Sequence, residues 1–166
     1  MLRIALAVSF AVLLIFGVTF ALAQDDQPDV TIKDVAKYLD KLDLAYELNE
    51  DKDVATLGIA GDNANFDLAI IADTDIDVVY IAVVDYLKVP ADHRNCDKVL
   101  RRLMELNWKF NIGKFEWDSS DGEVRLSYAL CTDNGLGFEA FSSALITIVR
   151  SADEYYPELK ELLESE

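Results

Sequence analysis

The sequence predicts an α+β domain: an antiparallel five-stranded sheet with helices packed on it, in the order α-β-β-β-α-β-β-α. Three observations predict it. Apolar residues recur with a helical period near residues 31–42, 96–106 and 136–163, and shorten to compact or alternating runs between those stretches. The short runs are separated by Gly, Asp, Asn and Ser clusters of the kind that reverse a chain. No internal repeat, long linker or low-complexity tract divides the chain.

The first element is a helix opening at Thr31, with Asp34 three residues on as its capping-box partner. Ile32, Val35, Tyr38, Leu39 and Leu42 form one stripe, and Asp34, Lys37, Asp40 and Lys41 fall on the other side. Three strands follow, Val54–Ala60, Phe66–Ala72 and Val78–Leu87, joined by turns at Gly61-Asp62-Asn63 and Asp73-Thr74-Asp75. They read as a meander. The third strand is apolar on both faces, which places it centrally or under cover on both sides.

Pro90 marks a boundary, and Asp92 is the expected cap of a second helix. Cys96, Val99, Leu100, Leu103 and Leu106 give that helix its apolar stripe. Arg94, Lys98, Arg101 and Arg102 make it a basic patch on an acidic chain. A hairpin comes next: Ile112–Trp117, a turn over Ser119-Ser120-Asp121-Gly122, then Glu123–Cys131 with Val124, Leu126, Tyr128 and Leu130 on one side. The last helix carries Leu136, Phe138, Phe141, Ala144, Leu145, Ile148 and Val149, and Pro157 is expected to kink it or to start a new one.

Residues 1–23 stand apart from this domain. Met1-Leu2-Arg3 is a short positive start, Ile4–Phe20 is an apolar run, and Ala21-Leu22-Ala23 is a small-x-small site before the polar Gln24-Asp25-Asp26. That is the pattern of a Sec-type signal peptide cleaved after Ala23. A retained anchor is the rival reading, since the run approaches the ~18–20 apolar residues that span a bilayer. The cleavage-like tripeptide and the absence of Lys or Arg just after the run argue for removal. The expected product is periplasmic or secreted, with a flexible lead-in over residues 24–30 and a single domain over residues 31–166.

Charge and chemistry narrow the function. The chain has 15 basic and 31 acidic residues, a formal net charge of −16, one unit more negative once Arg3 leaves. Such a field repels nucleic acid and anionic membrane surfaces, and favours basic partners, cations or plain solubility. Asp73-x-Asp75-x-Asp77 resembles the start of a calcium loop, but the sixth and twelfth positions, where that loop needs Gly and Glu, are Val78 and Val84. A hairpin turn is the better reading. His93 is the only histidine, without ligand or nucleophile spacing around it. No Gly-x-Ser-x-Gly, phosphate loop or His-Glu-x-x-His occurs. No catalytic, cofactor or metal residue is therefore assigned.

Among the aromatics, Phe115 and Trp117 share a strand face and read as core. Trp108 and Phe110, at the helix-to-strand junction, are the candidate anchors for a partner if they are exposed. The hairpin register brings Cys131 near Phe110, at the far end of the second helix from Cys96. That is a separation of ~20 Å at 1.5 Å per residue, against the ~7 Å a bridge allows between Cα atoms. The register thus opposes a disulfide that an oxidising compartment would otherwise favour.

Leu106-Asn107, Gly113-Lys114-Phe115 and Asp121-Gly122-Glu123-Val124, with Tyr155-Tyr156-Pro157-Glu158-Leu159 near the end, resemble the YbjN-like family. These are bacterial domains described as sensory transduction regulators, with a fold similar to type III secretion chaperones. The resemblance runs from about Thr31 to Leu163. It implies a chaperone-like α+β fold, no known catalytic site, and binding to a protein or peptide, and related secretion chaperones are dimers. On it, Asn107, Gly113, Phe115, Asp121 and Gly122 are structural signature residues. The departure is the leader, because secretion chaperones act in the cytosol. The reading that follows is an exported, non-catalytic, protein-binding regulatory module of the cell envelope, with a homodimer as one partner arrangement. The alternative is an acidic, calcium-responsive envelope protein, and an enzyme with an unrecognised carboxylate site ranks last.

Overall fold

A computed structural model describes residues 29–166; the leader and most of the lead-in, residues 1–28, lie outside the described residues. The elements are α1 (Ile32–Lys41), β1 (Glu47–Asn49), β2 (Val54–Ala60), β3 (Asn65–Asp73), β4 (Val78–Lys88), α2 (Cys96–Lys109), β5 (Lys114–Trp117), β6 (Glu123–Cys131) and α3 (Phe138–Glu164). The sheet has six strands in the order β1-β2-β3-β4-β6-β5, every pair antiparallel.

The count of five strands needs correction by β1. It is three residues long, all exposed, so neither length nor alternation announces it. What holds it is a tight return. Asn49 accepts a hydrogen bond from the Lys52 backbone N–H at 3.2 Å, and Asp53 turns the chain back through a left-handed conformation, φ 52°.

One face of the sheet carries the core. Leu57, Leu68 and Val83 are cross-strand neighbours, as are Ala55, Ile70 and Ile81, and all are buried. Leu126 and Phe115 extend the layer to β6 and β5. Helix α1 packs on β2 and β3, α3 on β4 and β6, and α2 on β5 and against α3. The capping box of α1 forms as its sequence implies: the Asp34 carboxylate accepts from the Thr31 backbone N–H at 3.1 Å and from its hydroxyl at 2.8 Å.

β4 lies centrally, between β3 and β6. Strict alternation from Val83 would put Tyr86 on the open face. The register instead shifts between Val83 and Leu87, with Asp85 at φ +48°, a bulge geometry Asp tolerates better than most residues. Tyr86 is thereby turned into the core, where its ring lies 5.9 Å from Phe66, 5.4 Å from Phe115 and 5.6 Å from Tyr156. Its hydroxyl donates to the Ala152 carbonyl at 2.9 Å, and burial pushes its pKa up.

Three further expectations are corrected. Helix α2 begins at Cys96 with Asn95 as its N-cap residue, not at Asp92. The Asn95 amide is spent on α3, donating to the carbonyls of Leu163 at 2.9 Å and Ser165 at 2.7 Å. Strand β5 starts at Lys114, two residues later than the pattern suggests. Pro157 does not start a new helix, since α3 runs 27 residues through it. A proline inside a helix orphans the carbonyl four residues back, here that of Asp153. Asn63 supplies the missing donor, its Nδ2 lying 3.1 Å from that oxygen.

The same contact clamps the β2–β3 turn. The Asp153 carboxylate accepts from the backbone N–H groups of Asp62 (3.1 Å), Asn63 (2.8 Å) and Ala64 (3.2 Å), and these bonds hold its pKa below the usual carboxylate value. Gly61 is demanded by the approach, since a Cβ there would stand 2.2 Å from Asp153 Oδ1. The two cysteines are free: Cys96 is buried at the start of α2 and Cys131 is exposed at the end of β6.

Candidate protein-binding surfaces

Asn107, Gly113, Asp121 and Gly122 hold the backbone of the α2–β5–β6 segment in place. Asn107, in the last turn of α2, faces the outer edge of β5. Its Oδ1 accepts from the Phe115 N–H at 2.7 Å and its Nδ2 donates to the Phe115 carbonyl at 3.1 Å. One amide side chain thus stands in for a neighbouring strand and closes that edge of the sheet. Gly113 enters β5 at φ +90°. Asp121 accepts from the Glu123 N–H at 2.8 Å and pairs with Lys88 at 2.9 Å. Gly122, at φ +82°, is pressed against Val89 and Pro90.

The proposed aromatic anchors separate. Phe110 is half-buried, with its ring 5.7 Å from Phe115 and 5.6 Å from Tyr155, so it belongs to the rim of the core and cannot pair with Trp108 on a free surface. Trp108 is 91% exposed, and Met104, one turn earlier on the same face, is 67% exposed. Arg101 continues that line, because positions three and four apart share a helix face. Arg102 points elsewhere, with its guanidinium on Glu158 at 2.5 Å and Glu105 at 3.0 Å. Part of the basic patch thus braces α2 against α3, and part flanks the exposed tryptophan. Trp117 packs against the core and donates its indole N–H to the Val89 carbonyl at 2.9 Å.

The open face of the sheet carries one polar cluster that sequence reasoning missed. Glu116 Oε2 accepts from the Tyr80 hydroxyl (2.6 Å), Arg125 Nε (2.8 Å) and Ser127 Oγ (2.8 Å), and its other oxygen pairs with Lys114 at 2.8 Å. Burial pushes its pKa up, but the bonds from Lys114, Tyr80, Ser127 and Arg125 outweigh this and hold it at about 2. The group is ionised and its acceptor sites are filled, so it is poorly suited to take up a proton as a general base near neutral pH. Strand alternation on β5 and β6 could have placed Lys114, Glu116, Arg125 and Ser127 on one face, with β4 pairing adding Tyr80.

Asp73, Asp75 and Asp77 form the β3–β4 turn, where Asp73 Oδ1 accepts the Asp75 N–H at 3.1 Å. Among the described residues no three His, Cys, Asp or Glu side chains converge as metal ligands would. His93 lies before α2, not in its first turn, and its Nδ1 accepts from the Asn95 N–H at 3.2 Å.

The model of the YbjN family, described as "Putative bacterial sensory transduction regulator", matches residues 31–161. The chain belongs to the YbjN family. Solved structures agree on the fold. A chain of the ExsC–ExsE complex is similar over 84% of this protein and 100% of its own length, at 15% identity and a TM-score of 0.60. YbjN of E. coli is similar at 14% identity and a TM-score of 0.55, over 82% and 91% of the two chains. A chain of the heterodimeric ExoU–SpcU complex from the type III secretion system of Pseudomonas aeruginosa is similar at 19% identity and a TM-score of 0.51, over 78% and 98%. No curated protein sequence matches. This YbjN domain therefore has the antiparallel sheet and three helices of type III secretion chaperones.

Proposed function

We propose that this YbjN protein is an exported, non-catalytic binding module of the bacterial cell envelope, which takes hold of a segment of another protein on the outer face of α2. The observation that carries the reading is Trp108. A tryptophan 91% exposed, with Met104 beside it and in line Arg101, a cation with no ion pair among the described residues, is the composition of an interface centre rather than of a solvated helix face. Support comes from neighbours in fold that were solved as complexes with other proteins, the HopA1–SchA chaperone–effector complex among them. The envelope location rests on the leader read in residues 1–23.

The test is a photo-crosslinking amino acid at position 108 in the exported protein, in its own cells, with adducts identified by mass spectrometry. A reproducible adduct with one other envelope protein is expected, together with an unchanged melting temperature for Trp108→Ala. An adduct only with a second copy would assign the face to a homodimer. No adduct, or a protein retained in the cytosol with its leader intact, would sink the reading.

A further inference from the structure

The two edges of the sheet are built differently. On β5, Asn107 occupies the outward N–H and C=O of Phe115. On the other side, β1 covers β2 only from Val54 to Thr56. The bonds Ala72 N–H to Asp53 O (3.0 Å) and Gly61 N–H to Ala64 O (2.8 Å) fix the parity of the β2–β3 ladder. Odd-numbered residues of β2 bond inward to β3, so the even-numbered ones point out. Thr56 and Val54 face β1 in this way. Gly58 and Ala60 are both exposed; Ala45 and Tyr46 stand across a cavity from Gly58 without bonding to it, and among the described residues the outward N–H and C=O groups of Gly58 and Ala60 have no partner.

Gly58 has no conformational reason to be glycine. Its φ is not left-handed, and a Cβ there would meet only Asp67 Oδ1, at 3.8 Å. A glycine in a strand without such a reason marks a close approach by another backbone. Two concavities flank the site. On the helix side, a groove of about 350 Å³ is lined by Leu42, Leu44, Ile59, Ile146 and Val149, with Arg150 as its one cation. On the open face, a cavity of about 400 Å³ lies over Gly58, with the carboxylates of Glu47 and Asp67 on its walls. Neither carboxylate has an ion-pair partner among the described residues.

We infer that the β2 edge from Leu57 to Ala60 receives an extended segment of a partner protein in which apolar and cationic residues alternate. Backbone hydrogen bonds form at Gly58 and Ala60. Alternation of side chains along an added strand then dictates the rest. Every second residue drops an aliphatic side chain beside Ile59 and Ile146. The residues between them lie on the open face, where a Lys or Arg reaches across the bare Gly58 to Asp67 and Glu47. This site is separate from the Trp108 face, so each can fail without the other.

The probe is a fluorescein-labelled seven-residue peptide alternating Lys with Val, titrated by anisotropy into residues 24–166. Saturable binding is expected, at least tenfold weaker when the lysines become glutamates or when the amides on one peptide edge are N-methylated. Ala60→Pro, which removes only an outward N–H, and Ile146→Glu, at a position 44% exposed, should each cost tenfold. Trp108→Ala should leave the titration unchanged. Hydrogen exchange gives the decisive signature: peptide slows the amides of Gly58 and Ala60 at least tenfold while Leu57 and Ile59, already bonded to β3, do not change. Absence of saturable binding, equal binding of the glutamate peptide, or protection lying elsewhere would overturn the inference. So would a dimer of the protein alone that Ala60→Pro dissociates, which would give the edge to a second copy.

Discussion

Replacing Gly122 by Ala isolates what the β5–β6 turn contributes, because three glycines with positive φ differ in what surrounds them. Gly135 (φ +79°) has open space where a Cβ would go, and Gly113 (φ +90°) would bring its Cβ no closer than 3.4 Å to the Ile148 methyl. Both should cost only the left-handed term, about 1–2 kcal/mol. At Gly122 (φ +82°) the new Cβ would stand 2.8 Å from Pro90 N and from the carbonyl C and O of Val89. Those are backbone atoms just past the end of β4 and cannot step aside as a flexible side chain could. The turn must move, and with it the bonds Val89 N–H to Gly122 O and Gly122 N–H to Asp118 O, both 2.7 Å. At about 0.5–1.5 kcal/mol each, their loss brings Gly122→Ala to about 2–5 kcal/mol. Urea unfolding followed by tryptophan fluorescence and by far-UV circular dichroism measures all three variants. A Gly122→Ala cost within about 0.5 kcal/mol of that for Gly135→Ala would refute the reasoning, since the contact with Val89 and Pro90 would then carry no weight.

Asn107→Ala removes both bonds to Phe115 and should cost about 1–3 kcal/mol; because it also bares the β5 edge, light scattering should show concentration-dependent association that the parent lacks. Glu116 has its folded pKa held at about 2, below the ordinary 4.5, so its stabilisation is present above the unfolded value and is lost as pH falls through about 2. Glu116→Gln should therefore be less stable than the parent at pH 7, by about 1 kcal/mol given its partial exposure, and the two should converge in urea titrations taken down to about pH 2. Asp153→Asn weakens the clamp on the β2–β3 turn, so the amides of Asp62, Asn63 and Ala64 should exchange faster while those of β6 keep their rates. The excess of 31 acidic over 15 basic residues predicts a melting temperature that rises as NaCl screens the repulsion from low to moderate concentration, and a flat or falling trend would contradict it.

What the sequence made legible was the local part of the fold. Thr31 and Asp34 lie three residues apart and form their capping box without help. The meander strands carry their own apolar runs, and the Asp121-Gly122 turn carries its own left-handed residue. The misreadings share one cause, which is a partner distant in the chain. Asp92 looked like the cap of α2 because nothing nearby shows that Asn95 ties that helix to Leu163 and Ser165. Pro157 looked like a kink or a new start because the donor that serves the orphaned carbonyl, Asn63, lies 90 or more residues away. Phe110 looked available because Tyr155, which covers it, belongs to another helix. β1 gave no signal at all, being held by a turn and a neighbour rather than by its own side chains. For the candidate surface, the helix-to-strand junction pointed to Trp108 and Phe110 together, and only packing could separate them.

The carboxylates divide in a way that bears on function. Asp34, Glu116, Asp121 and Asp153 each hold a turn, a cap or a cross-strand cation, and each has a lowered pKa because protonation would break that contact. They serve the fold as fixed anions, and a group pinned in its ionised form is a poor proton carrier. Among the described residues Glu47 and Asp67 have no such partner, and they line a stretch of the β2 edge whose outward backbone is also unpaired. Strand edges of soluble proteins are ordinarily guarded by lysine, proline or a covering element. Here the guard, Asn107, stands at the opposite edge, while β2 ends in Gly58-Ile59-Ala60. Negative charge there opposes pairing with a second acidic copy. The same charge admits a cationic strand, so protection against self-association and selection of a partner become one property of two side chains.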